Sequence, residues 1–490
     1  MGLSLNIRNR YRALNLTIKS SIWFTICNVF LKGINFITIP IFTRLLSSQE
    51  YGVLSVFMSY EQIILTLTTW ETALSAYQKG IFKYKNEIKL FTKSTLILSN
   101  IVTIAFFIVV FAFFPLFSTF TGFNISNTVL LFFYMMLQPA YSCWLVLKRT
   151  ENEYKKASIM SLLLGIISTV VPLAAILIVD KSANTKFNFT IIGSLILFLW
   201  FYYFGIRQGG VFDNKDRIRE HWRFIIVYQI PIVAHALSFT VLSQADRIMI
   251  EKIVGSSQAA FYSVAYGVAM VISIIQNSIN LALVPWRFEQ LEKKNYEIIK
   301  KTTAPILVGV GTIITAFIFV APECFRLLFS EEYYEAIWCI PPVSLSVFFM
   351  FLYSLFVWIE NFYEKTKYVA IVSVACAFLN ILLNYLLIRP LGYIACAYTT
   401  LVSYIVFCFG HYCFMKKTLK ECKVYETIYD IKSCVLISII LIICSIVATA
   451  TYSYWMIRYT IVIVTLVVLV TKRKKIKYFI AGFKKKQNKA

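Results

Sequence analysis

Charge is scarce in this chain, and acid scarcer still. Only 15% of its positions are charged, with 24 Asp+Glu against 48 Lys+Arg, and there are three histidines in all. Soluble domains carry about 25% charged residues, so a soluble enzyme is excluded. No Gly-x-x-x-x-Gly-Lys-Ser/Thr run occurs, which excludes an ATPase of the P-loop kind. His221, His235 and His411 stand in no metal-ligand spacing. The eleven cysteines form no Cys-x-x-Cys pair. Most lie in apolar runs, as Cys27, Cys376 and Cys444 do, and read as small apolar residues. Neither a metal site nor a catalytic residue is expected. No cleavable signal peptide is evident either, because the first apolar run is too long and starts at about residue 20. The longest connection, about 207–223, is too short for a soluble domain.

What the chain has instead is apolar length. Of 490 residues, 59% are hydrophobic, against roughly 45–50% in soluble proteins. A helix crosses the hydrocarbon core with about 20 mostly apolar residues. Fourteen such runs follow one another: about 20–44, 51–78, 93–117, 126–147, 157–179, 188–206, 223–246, 259–286, 303–325, 336–359, 368–388, 392–415, 433–451 and 455–471. They are continuous rather than alternating, which argues against a β-barrel. The expectation is an all-α integral membrane protein of about fourteen spans, with twelve as the alternative if one weak pair does not cross.

The formal charge of +24 tests the topology. With the N-terminus placed in the cytoplasm, the cytoplasmic segments hold 39 Lys+Arg and 13 Asp+Glu. The opposite loops hold 8 and 7, and the spans 1 and 4. This is the positive-inside pattern, with both termini cytoplasmic. The charge is thus an orientation signal, aided by attraction to anionic lipid, and no nucleic-acid partner is expected.

The spans divide into two halves. Leu45-Leu46-Ser47-Ser48-Gln49-Glu50-Tyr51-Gly52 joins spans 1 and 2, and Ile253-Val254-Gly255-Ser256-Ser257-Gln258 joins spans 7 and 8. The Ser-Ser-Gln triplets lie on the outer turn of the first hairpin of two six-span blocks, which suggests parallel repeats. The expected organisation is a basic tail 1–19, an N-lobe 20–206, a basic linker 207–222, a C-lobe 223–416, a linker with two extra spans 417–471, and a basic tail 472–490.

Three dispersed motifs point to a family. Thr43-Arg44-Leu45-Leu46-Ser47-Ser48-Gln49-Glu50-Tyr51-Gly52 comes first. Asp246-Arg247-Ile248-Met249-Ile250 with Gly255 and Ala260-Phe261-Tyr262-Ser263-Val264-Ala265-Tyr266 comes second. The third is Leu379-Asn380-Ile381-Leu382-Leu383-Asn384-Tyr385 with Gly392 and Ala397 to Tyr404. In this order, over most of 15–415, they resemble the polysaccharide transporter family of the multidrug/oligosaccharidyl-lipid/polysaccharide exporter superfamily. Arg389 departs from the pattern, since the family usually runs straight into proline there. The resemblance implies two six-helix lobes around a V-shaped cavity. It also implies alternating access that flips an oligosaccharide linked to undecaprenyl pyrophosphate, for O-antigen, capsule or exopolysaccharide assembly in a bacterial inner membrane. Partners would be that lipid-linked substrate, membrane lipid, a polysaccharide polymerase and a chain-length regulator. A cation-coupled drug or metabolite exporter of the same superfamily is the rival reading. A membrane polymerase or glycosyltransferase is the third, disfavoured by the lack of a large polar loop.

Within the spans the candidates are few. Lys32 lies about 18 Å along span 1 at about 1.5 Å per residue, where a lysine costs about 2.5–3.5 kcal/mol to insert. It is expected either to meet the substrate pyrophosphate or to pair with Glu61, which lies at similar depth in span 2. Glu61 is also a candidate for a coupling H⁺ or Na⁺. Glu71 and Glu360 are weighed for coupling too, with solvated positions near the cytoplasmic interface as the plainer expectation. Asp246 and Arg247 suggest an outer gate, against a local ion pair at a helix end. Arg44, Arg247 and Arg287 are candidates to reach inward and balance the acids. Lys148 and Arg149 are candidates for head-group entry, with simple anchoring favoured. Gln229 and His235 flank Pro231, a candidate hinge. Asn380 and Asn384, four apart, share a helix face and are expected to bind helices together. Trp70, Trp286 and Trp358 are candidates to stack on sugar rings.

Overall fold

A computed structural model describes residues 16–207 and 215–471. The expected basic tails lie outside those residues except for 16–19, as do positions 208–214 of the linker. The described chain is all helical, with α-helices joined by short turns and three 3-10 segments. Apolar continuity dictates this, because backbone polar groups in lipid must be satisfied within the segment.

The first half runs α1 (Leu16–Leu45), α2 (Ser48–Thr69), α3 (Ala76–Lys83), α4 (Ile88–Ala112), α5 (Phe114–Thr121), α6 (Ile125–Thr150), α7 (Tyr154–Ile178) and α8 (Ala183–Arg207). The second runs α9 (Lys215–Ile253), α10 (Ser256–Ala269), α11 (Ile272–Glu292), α12 (Tyr296–Leu328), α13 (Ile340–Phe362), α14 (Thr366–Leu391) and α15 (Ala395–Glu421). Helices α16 (Ile431–Ala450) and α17 (Trp455–Thr471) follow. Each of the fourteen apolar runs meets one helix or one broken pair. Among the described residues nine helices are long and apolar enough to cross a membrane, or up to eleven if each of two bent pairs is one span.

We call the end that holds the α1–α2 and α9–α10 turns the upper end. There Ser47 caps α2 by accepting from Glu50 N at 3.2 Å. Glu50 in turn accepts from Ala183 N at 2.6 Å, so its carboxylate sits at the positive N-terminus of α8. The second half has one large apolar core, spanning α10 to α16. The first has a lower core around Tyr77, Phe91 and Phe198 and an upper core around Phe57, Phe123 and Phe187.

Three departures from the sequence reading matter. Span 2, expected unbroken over 51–78, stops at Thr69. Trp70 and Glu71 both take the left-handed conformation, with φ 54° and 51°, which costs of order 1–3 kcal/mol per residue. Span 8 bends by 40° between α10 and α11. Residues 215–222, expected as linker, are already helical and pack on the first half. His221 and Ile218 are buried there, and Trp222 Nε1 donates to Ser94 O at 2.9 Å. Helix α9 bends by 46° between Ile230 and Ile232, where Pro231 sits. Its lower part belongs to the N-lobe and its upper part packs along α14 of the C-lobe. Helix α9 therefore contacts both halves and starts at Lys215, within the expected linker.

Candidate functional site

The two halves meet tightly at the upper end. Ser48 Oγ lies 3.1 Å from Ser257 Oγ. A Cβ on Gly52 would stand 1.7 Å from the Ser256 carbonyl oxygen, so only glycine allows α2 and α10 to approach this closely. Arg44 donates to the Leu328 carbonyl at 3.3 Å, placing a cation at the C-terminus of α12, where the helix dipole favours it. Lower down, Ser59 donates to Gln244 Oε1 at 3.2 Å, and the Thr66 and Thr240 hydroxyls are 3.2 Å apart.

Below this seal the halves part around an open cavity of about 430 Å³ between α1, α9, α10 and α11, within the range of ligand sites. Lys32 lies on its wall and is exposed. Ser243, Gln244 and Ser273 are its other polar side chains besides the Tyr266 hydroxyl, and Phe36 and Phe239 add aromatic surface. Just above Gln244 sits Arg247. Its guanidinium donates to Ser243 O at 2.6 Å and to Gln244 Oε1 at 3.3 Å, and lies 4.4 Å from the centre of the Tyr266 ring. A chamber with one exposed lysine, neutral hydrogen-bonding groups and aromatic faces can hold an anion attached to a polar, ring-containing body.

The other candidates fall elsewhere. Glu61 does not pair with Lys32 among the described residues; it lies beside Tyr134 of α6 in the first half. Asp246 does not face Arg247. It is 0% exposed and accepts from Tyr262 at 2.5 Å, Asn384 at 2.6 Å and Thr400 at 2.7 Å. The expected outer gate thus divides: Asp246 ties α9 to α10, α14 and α15 within the C-lobe, and Arg247 alone stands at the cavity roof. Asn384 binds α14 to α9 and α15 through Asp246 and Thr399 as expected, whereas Asn380, among the described residues, accepts only from Asn384 of its own helix, at 3.3 Å. Arg287 is buried inside the C-lobe and donates to Asn280 at 2.9 Å. Of the three arginines proposed to reach inward, only Arg247 adjoins the cavity.

Glu360 corrects the expectation of a solvated acid near the interface. It is 0% exposed and stands 3.1 Å from His411 Nδ1, itself 0% exposed. Glu71 is half-buried at the break in span 2. That break is held by Gln229, whose amide donates to the Trp70 carbonyl and accepts from Ser75 Oγ at 2.5 Å and Ala76 N at 3.3 Å. Lys148 is already engaged by Glu151 at 2.7 Å and Glu153 at 3.3 Å. Lys156 and Lys148 hold the Glu153 carboxyl below the ordinary range. Arg149 is partly buried beside them. None of Trp70, Trp286 or Trp358 lines the cavity. The aromatic rings that do, Phe36, Phe239 and Tyr266, carry no distinguishing sequence signal, because forty-two Phe and thirty Tyr surround them in the sequence.

A family model described as "Polysaccharide biosynthesis protein" matches residues 17–291. The chain belongs to the polysaccharide biosynthesis protein family. A second model, MatE, matches residues 231–386, which places that family in the wider exporter superfamily expected from the motifs. The protein is a multi-pass membrane transporter of polysaccharide biosynthesis and not an enzyme. A curated relative, Lsg locus putative protein 1 of Haemophilus influenzae, is 22% identical over 288 residues, covering 56% of this chain and 67% of the relative. Among solved structures, the Lipid II flippase MurJ in an inward closed conformation is similar over 93% of this chain and 100% of its own, with a TM-score of 0.63 at 15% identity. An inward-facing multidrug resistance MATE transporter is similar over 83% of this chain and 96% of its own, with a TM-score of 0.57 at 13% identity. At these identities the likeness establishes the fold of this polysaccharide biosynthesis transporter and nothing finer.

Proposed function

We propose that this transporter is a flippase carrying an undecaprenyl-pyrophosphate-linked oligosaccharide from the cytoplasmic to the outer leaflet by alternating access, in the assembly of O-antigen, capsule or exopolysaccharide. It spans a bacterial cytoplasmic membrane fourteen times with both termini inside, so the upper end faces outward. Its neighbours in the pathway are the polysaccharide polymerase and the chain-length regulator. The observation that carries the reading is Lys32, an exposed cation on the wall of a cavity closed at its upper end. A lysine at mid-membrane is costly, and an anionic pyrophosphate offsets that cost only while substrate is present. Similarity to a structure titled Lipid II flippase supports a lipid-linked cargo.

The coupling ion is H⁺ or Na⁺, and the carboxylates available to it are Glu61, Glu71, Asp246 and Glu360. Lys148 and Arg149 serve as basic anchors at the inner interface, because Lys148 is already held by two glutamates.

Removing the protein should cause a lipid-linked oligosaccharide to accumulate in the inner leaflet, and wild-type protein should clear it. Absence of any such intermediate, together with altered drug susceptibility, would favour the exporter reading.

A further inference from the structure

Buried within the C-lobe is a pair of ionisable groups that the cavity does not use. Glu360 of α13 and His411 of α15 are both 0% exposed. The two carboxylate oxygens of Glu360 stand 3.2 and 3.1 Å from His411 Nδ1. No lysine or arginine pairs with Glu360 among the described residues. A carboxylate accepts, so Nδ1 carries the hydrogen. In the neutral imidazole this leaves Nε2 as a bare acceptor. His411 Nε2 is buried and has no hydrogen-bond partner.

The charge count follows from that geometry. An ionised glutamate beside a neutral histidine leaves one uncompensated negative charge in a low-dielectric interior, an expensive state. One proton on Nε2 turns the histidine into an imidazolium and makes the pair neutral overall, with no bond broken. Asp246 differs: three neutral donors satisfy it and Arg247 is its chain neighbour.

The groups around the pair are identifiable. Tyr353 of α13 stacks on the His411 ring at 5.6 Å, and Phe407 meets it edge-on at 4.6 Å. Tyr429, ahead of α16, donates to the Leu355 carbonyl at 2.8 Å, and Arg287 of α11 lies in Coulombic range of Tyr429. On α9, His235 is a titratable group that bonds to α14. Its Nδ1 lies 2.6 Å from Ser373 Oγ of α14. His235 is one turn above Pro231, the point where α9 bends.

We propose that Glu360 and His411 form a proton-binding dyad, with Nε2 of His411 as the atom that takes the proton. Its charge acts through α14, which packs against both α15 and the bent helix α9, and so sets the balance between the two arrangements of the lobes. This deepens the flippase reading and rests on it only for what the proton drives.

The test uses the full chain in lipid nanodiscs without substrate. Three histidines make ¹⁵N-histidine spectra assignable by single substitution. Between pH 8 and pH 5.5 the His411 signal should pass from the Nδ1–H tautomer to the imidazolium, and disappear in His411→Gln. In a cysteine-free background that still supports surface glycan, spin labels at Lys181→Cys and Glu331→Cys report the distance between lobes at the upper end. That distance distribution should shift with pH in the parent, and the shift should vanish in both Glu360→Gln and His411→Gln. A His411 that stays neutral throughout overturns the proposal. So does a pH shift that survives in both variants, or one lost in Asp246→Asn and kept in Glu360→Gln. None of these outcomes touches the flippase reading, which stands or falls on the lipid-linked intermediate.

Discussion

Ser48 and Ser257 hydrogen-bond between the two halves at 3.1 Å, and they are the middle residues of the two Ser-Ser-Gln triplets, 209 residues apart. Equivalent residues touch when a two-fold axis passes between them. The contact between the matching serines is what a repeat axis at the upper end would produce. The parts of the upper seal are the motif residues: Ser47 caps α2, Ser48 meets its counterpart, Glu50 caps α8, and Gly52 admits the Ser256 backbone.

A disulfide across that contact should lock the transporter. In a cysteine-free background, Ser48→Cys with Ser257→Cys should cross-link under mild oxidation and abolish surface glycan, and reductant should restore it. Each single variant should be active. Full activity of the oxidised pair would show that the upper end does not open.

Gly52→Val should weaken the seal without that chemistry. Its side chain has no room beside the Ser256 carbonyl, so α2 and α10 must separate. A cysteine at Gln244, in the cavity roof, should then be labelled from outside by a charged thiol reagent, and not in the parent. Unchanged protection would place the seal elsewhere.

Lys32→Ala should abolish surface glycan while the protein still inserts at normal level, and Lys32→Arg should retain part of the activity. The readout is glycan staining against membrane-protein abundance. Normal glycan in Lys32→Ala would remove this lysine from substrate binding.

Gln229→Leu should destabilise the N-lobe. It strips the Trp70 carbonyl and the Ala76 amide of their side-chain partner and leaves Ser75 Oγ only the Glu71 carbonyl at 3.3 Å, and a buried unsatisfied group costs about 1–3 kcal/mol. Thermal unfolding in detergent should start several degrees lower than in the parent. Glu71→Gln, at a half-exposed position of the same break, should melt close to the parent.

Labelling of single cysteines should settle orientation. Lys85→Cys and Lys294→Cys, at the lower end, should react only from the cytoplasm, and Lys181→Cys only from outside. The reverse pattern at any of these would overturn the positive-inside assignment.

Much of this fold was legible because its determinants are local. Apolar runs of about 20 residues can satisfy their backbones in lipid only as helices, so fourteen runs became helices or broken pairs without reference to one another. The repeat and the family motifs were visible because they recur as short strings. The breaks were harder. Trp70 and Glu71 have no helix-breaking glycine or proline beside them, and the break persists because Gln229, from a distant helix, takes over the missing hydrogen bonds. Pro231 did advertise its bend.

By itself, then, the sequence determined a helical membrane transporter of the polysaccharide biosynthesis family and set one lysine apart within an apolar run. Which charges meet was decided only by the tertiary structure. Lys32 faces the cavity and Glu61 lies beside Tyr134; Asp246 turns from Arg247 into the C-lobe; Glu360 finds His411. The physical reason is that depth along a span follows from counting residues, whereas partnership depends on the rotation and bend of each helix. Packing sets both, and no single span encodes them.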